Sequence, residues 1–215
     1  MANVNAPHGF TPVGTINGNP WNGKANLYHI PSTDTNAYYI GDAVKTTGQT
    51  TGSDASGVPD CIKLTGTITT TAVRGVLVGV MASNVNTQGA QVGTPNLNVI
   101  TIPATKTQDY YVWVVDDPNC MFEIQGDNAS TLNPATGGSG STPVVGGNAG
   151  FTVAAPTSPV PVSATVLTTA SINTTAGLAL KILSLPYRPN VDFTANTPFI
   201  VMFNQHELAG NTAGV

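Results

Sequence analysis

No segment of this chain reads as a helix of ten residues or more, and that limits its fold more than any other feature. Apolar residues come in short runs, and 23 Gly and 16 Pro punctuate them. Several runs alternate apolar with polar residues, the period of a half-buried strand. Strands are expected over Ala25–Ile30, Tyr38–Lys45 (interrupted at Gly41-Asp42) and Cys61–Thr65. Thr67–Ala72 is extended because β-branched threonines favour that backbone. Val73–Met81 (VRGVLVGVM) is the most apolar strand, and its Gly75 and Gly79 predict a bulge or a close backbone approach. Leu97–Ile102 alternates up to Pro103, beyond a polar connection over 83–98. Asp109–Val115 and Cys120–Gln125, joined by Asp116-Asp117-Pro118-Asn119, read as a hairpin. Val162–Ala170, Leu178–Leu185 and Phe199–Phe203 complete the set, with a short helix over 176–183 as the competing reading. Eight to ten short strands without a helix predict an all-β fold, an antiparallel β-sandwich or barrel.

The 215 residues suit one domain with extended segments. Residues 1–24 carry Pro7, Pro12 and Pro20 among several glycines, which reads as an extended N-terminal arm. A free linker has no use for Phe10, Val13, Ile16 and Trp21, so the arm is expected to lie on a surface, its own or a partner's. A single β domain is expected over 25–205, followed by a tail over 206–215. Within the domain, 46–57 is a polar loop and 127–161 a long Gly/Pro-rich loop with Phe151 and Val153 as possible anchors.

Charge excludes whole classes of function. Asp, Glu, Lys and Arg make up 8% of the chain, about a third of the ~25% usual for a soluble domain. Seven Lys and Arg cannot neutralise many phosphates, and the net charge is −4, so no nucleic-acid partner is expected. Mean hydropathy is +0.07, and no apolar run approaches the ~20 residues of a membrane span. The opening MANVNAPHGF has no basic stretch followed by an apolar one, so no secretory leader is expected. Polarity comes instead from 31 Thr and 20 Asn.

Residues that carry chemistry are few and scattered. His8, His29 and His206 have no metal-ligand spacing, so no metal is expected. Asp116-Asp117 is a turn rather than half of a calcium loop, and Glu123 has no sugar cleft around it. Gly137–Gly140 lacks the strand-turn-helix setting of a serine nucleophile, and no phosphate-binding glycine motif exists. Trp113 and its neighbouring tyrosines read as strand residues rather than a sugar platform. Cys61 and Cys120 read as reduced, half-buried thiols, with a disulfide between them as the alternative. No catalytic residue and no cofactor is expected, and the chain does not read as an enzyme.

Six segments, taken in order, carry a resemblance. The start Met1-Ala2-Asn3 to Val13 resembles the "AN.NAPFGFRPV" opening of a family of tailed-bacteriophage virion proteins, the head decoration or cement proteins. Ile40-Gly41-Asp42-Ala43-Val44 is similar to the family's "I..GD.V" strand, and Gly75–Val80 to its "GV..G" strand. Val112–Asp127 resembles "V.V.DDPN..FE.Q.D", and Leu180–Leu185 with Arg188-Pro189-Asn190 resembles "LKIL.L..RP.N". Asn204–Leu208 also looks like the family's end.

The resemblance implies a structural virion protein, made in the bacterial cytoplasm, that sits on the capsid surface. It implies the major capsid protein as partner, and self-association as a trimer or, alternatively, a dimer. In that role the arm residues Phe10, Val13, Ile16 and Trp21 are the expected capsid contacts. Two other classes stand beside it: a tail- or fibre-associated β-protein that binds a receptor or glycan, and a polysaccharide-cleaving enzyme.

Overall fold

The computed structural model describes residues 3–50, 57–82, 100–127, 143–156, 161–189 and 191–209. Its strands are β1 (Thr11–Thr15), β2 (Asn26–Ile30), β3 (Tyr38–Tyr39), β4 (Ala43–Thr50), β5 (Pro59–Lys63), β6 (Thr67–Ile68) and β7 (Gly75–Ala82). They continue with β8 (Thr101–Ile102), β9 (Tyr110–Val115), β10 (Cys120–Gln125), β11 (Asn148–Thr152), β12 (Val166–Asn173), β13 (Leu180–Ser184) and β14 (Pro198–Phe203). No helix occurs among the described residues, so the fold is all-β.

Five strands close a barrel in the order β2-β5-β4-β7-β9. A seven-stranded sheet runs β1-β10-β14-β13-β11-β12, with β6 added beside β11, and β3 pairs with β8. Strand pairs are antiparallel apart from the barrel seam. There β2 meets β5 in parallel through one residue pair, His29 and Asp60. The seam is short on backbone bonds, and side chains reinforce it. His29 Nδ1 lies 2.9 Å from Asp60 Oδ1, and its Nε2 lies 3.5 Å from Asp109 Oδ2 beside β9.

Alternation along the strands builds two joined cores. Leu77 and Val114 point into the barrel with Tyr28, Ile30, Tyr38, Val44 and Cys61. Their neighbours Val76 and Val115 point outward, into the layer between barrel and sheet. There they meet Phe122, Ile124, Phe151, Leu180, Phe199 and Phe203. The two expected glycines of β7 have separate reasons. A Cβ on Gly75 would lie 2.3 Å from the Val115 carbonyl oxygen, so the strands approach too closely for a side chain. Gly79 lies under the Trp113 ring, beside a bulge that lets Leu77 and Val80 share the barrel interior.

Three expectations need correction, while Leu178–Leu185 keeps its first reading as a strand. β9 and β10 are not a hairpin: β9 pairs with β2 and β7 in the barrel, β10 with β1 and β14 in the sheet. The turn between them hands the chain across the core because Asp116 is held on the barrel side. Its carboxylate accepts from Tyr28 Oη at 2.7 Å and Asn26 Nδ2 at 2.8 Å. Residues 46–50 of the expected polar loop continue β4. Leu180–Ser184 is a strand within the range of the alternative helix, because β14 and β11 flank it. Both cysteines are free and fully buried, Cys61 inside the barrel and Cys120 between barrel and sheet. Burial pushes the Cys61 thiol up, and the Cys120 thiol up to about 12. The whole connection over 83–98 and much of the 127–161 loop lie outside the described residues. Within that loop, Phe151 is fully buried and belongs to β11.

Candidate interface surface

The N-terminal segment does not hang free. It is tied into the fold from Asn3 onward, so the self-packed reading describes it and a free docking arm over 1–24 does not. The Asn3 amide donates to the carbonyls of Asp192 at 2.9 Å and Ala195 at 3.1 Å. Gln125 brackets the next residues: its Oε1 accepts from the Ala6 N–H at 3.0 Å, and its Nε2 donates to the Val4 carbonyl at 2.7 Å.

Gly9 and Gly41 then interlock. Both have positive φ, +67° and +92°, and a Cβ on either would stand about 2.5 Å from the other strand's backbone. The Phe10 N–H donates to the Gly41 carbonyl at 3.0 Å across this contact.

Phe10 follows, 1% exposed. Its ring meets Phe151 edge-on at 5.1 Å, Phe203 at 5.1 Å and Phe122 at 6.1 Å. Phe10 is therefore a core residue, and its expected role as a capsid contact is corrected: no partner can reach it without unfolding the sheet.

The chain continues as β1, an edge strand that pairs with β10 around a bulge at Val13. Pro12 is tolerated because it sits on an edge. The outer rim of β1 is covered by the chain's own return. Thr15 N–H donates to the Asn19 carbonyl at 2.8 Å, and Gly14 bridges Pro20.

Of the four arm residues, two are open to solvent. Val13 is 38% and Ile16 50% exposed. Trp21 is half-buried against the main core, and its indole N–H donates to the Lys24 carbonyl at 3.1 Å. Beside Trp21 a groove of about 430 Å³ runs past Lys24, Asn26, Asp117 and the exposed Leu208. The structure thus brings Val13, Ile16 and Trp21 onto one fixed edge and separates Phe10 from them.

Charges are spent inside. Lys63 Nζ lies 2.6 Å from Asp42 Oδ2, with both side chains buried. Burial pushes the Asp42 carboxyl up, against the pull of Lys63. Lys106 donates to the Asp34 and Asn36 carbonyls at 2.5 and 2.6 Å, and burial lowers its pKa despite Asp34. Arg74 sits against Tyr28 and Asp116. Arg188 donates to Glu123 at 2.6 Å, next to β1. Burial opposes ionisation of Asp109, but hydrogen bonds from Ser32 and the nearby His29 outweigh it and hold the carboxyl below its usual range. Each of these groups ties together segments that are distant in the sequence. Among the described residues no cluster of His, Cys, Asp and Glu is arranged to hold a metal ion.

Sequence reasoning missed β1 and every one of these ties. Pro12 and Gly14 masked the strand, and partners far apart in the sequence leave no local pattern, as with Lys106 and Asn36 or Arg188 and Glu123. No family model, curated protein or solved structure matches this chain.

Proposed function

We propose that this chain is a capsid decoration protein, a cement that binds the outside of a bacteriophage head and bridges its major capsid protein subunits. One observation carries the reading: Val13 and Ile16 stand exposed on a segment that is otherwise sewn into the fold. An arm that orders on docking loses ~1–2 kcal/mol per residue in backbone entropy. Here folding has already met that cost, so apolar contact translates more directly into affinity.

Two further points support it. The motifs behind the resemblance fall at joints of the fold: Gly9 against Gly41, Asp116 at the crossover, Glu123 with Arg188, Gln125 on the N-terminal segment. Four of the seven cations are paired with the chain's own carboxylates, which leaves a sparsely charged surface on a Thr- and Asn-rich chain. Such a surface hydrogen-bonds across an interface with little charge to desolvate. Repetition over a symmetric shell multiplies weak contacts.

The test is the copy number of this chain in purified virions. A cement is present in proportion to the major capsid protein, and particles lacking it break at lower temperature. A tail or fibre component is present in far fewer copies, and its loss leaves head stability unchanged.

A further inference from the structure

The sequence holds two Asn-Gly pairs, Asn17-Gly18 and Asn22-Gly23, both exposed and both within the return from β1 to β2. Asn-Gly is the pair most open to succinimide formation, because no Cβ shields the attacking amide nitrogen. The surroundings of the two pairs differ in the features that set the rate.

At the first pair the Gly18 N–H donates to the Thr15 carbonyl at 2.9 Å, in a turn that the bond from Thr15 N–H to Asn19 closes at 2.8 Å. That N–H is held by the Thr15 carbonyl, so the bond must break before the nitrogen can lose its proton and attack. Gly18 and Gly23 share φ +85° and open space around the Cα, but at the second pair the Gly23 N–H makes no hydrogen bond among the described residues. The Asn22 Oδ1 accepts from the Lys24 N–H at 3.1 Å. A donor on that oxygen polarises the side-chain carbonyl and stabilises the negative charge that attack would place there.

We propose that Asn22-Gly23 is a site of spontaneous deamidation, and that Asn17-Gly18 is protected by its turn. The Gly23 nitrogen loses its proton to solvent base and attacks Asn22 Cγ. A Gly23 N–Cγ bond forms, the Cγ–Nδ2 bond breaks, and ammonia leaves with a proton from solvent. Water then adds to either carbonyl of the ring and opens it, giving aspartate or isoaspartate at position 22. Both products place a new carboxylate in the groove beside Asp116 and Asp117, where Lys24 is the cation in the lining. Isoaspartate also inserts a methylene into the backbone between Trp21 and Lys24, across the span closed by the Trp21 indole bond. The reaction therefore loosens the anchor of the β1 return over time.

The experiment holds the folded full-length protein at mildly alkaline pH and follows each asparagine by peptide mass spectrometry, with isoaspartyl methyltransferase labelling as a second readout. A parallel sample is held in urea. In the folded protein Asn22 should lose its amide several-fold faster than Asn17, and the two rates should converge in urea. Asn22→Ser, whose hydroxyl can still accept from Lys24, should remove most of the methyltransferase signal. Equal folded-state rates, faster loss at Asn17, or an unchanged signal in Asn22→Ser would overturn the proposal.

Discussion

Phe10 and Ile16 are six positions apart and have opposite fates, and substitution separates them. Phe10→Ala removes a ring enclosed by three phenylalanines and is expected to cost ~3–5 kcal/mol. Val13→Ser and Ile16→Ser act on exposed side chains and should each cost under ~1 kcal/mol. Urea unfolding distinguishes the two outcomes. His206 makes a prediction in pH. It is fully buried, its Nδ1 accepts from the Leu208 N–H at 3.0 Å, and burial and Arg74 lower its pKa from 6.5 to about 4. The folded state therefore favours the neutral ring, while the unfolded chain takes a proton below about pH 6.5. Stability from this group is complete above pH 6.5 and falls as pH drops towards 4. It does not fall further below that, and the loss amounts to ~3 kcal/mol. In His206→Phe this part of the acid destabilisation should vanish, which unfolding midpoints at neutral and acidic pH would show.

Among the elements, β1 decides whether the N-terminal segment is an appendage or a part of the sheet. Deleting residues 2–16 strips β10 of a paired neighbour and removes Phe10 from the core. The truncated chain is expected to aggregate or fail to fold, because an uncovered apolar edge strand is a template for association. Size-exclusion chromatography and circular dichroism would show it; a stable, monomeric, β-rich truncated protein would contradict the account. This element also shows where sequence reading stops. Strands marked by aromatic and β-branched residues, such as β9, were legible in the sequence, as were the close approach at Gly75 and the bulge beside Gly79. Their pairing was not, because a turn such as Asp116–Asn119 looks the same whether the chain folds back or crosses to another sheet. Only Tyr28 and Asn26, some 90 positions earlier, decide it. For the same reason Phe10 looked like an anchor for a partner. Its pocket is made by Phe122, Phe151 and Phe203, which come together only in the finished fold.

For the whole molecule, the economy of charge sets how it should associate. With four of the seven cations paired to the chain's own carboxylates, few remain to attract a partner by charge. Binding to capsids should then change little between low and moderate salt, since only exposed ionic contacts are screened on that scale. Complete release by moderate salt, followed by sedimentation of the particles, would contradict this. The most direct test of the central claim is to add purified protein to phage heads that lack it and count bound copies by quantitative mass spectrometry. The count is taken for the natural chain and for the double variant Val13→Ser, Ile16→Ser. The account predicts saturable binding in proportion to the major capsid protein, with occupancy clearly reduced in a double variant that is still folded. No binding by the natural chain would contradict the cement reading itself, and equal occupancy by the two would remove the β1 edge as its contact surface.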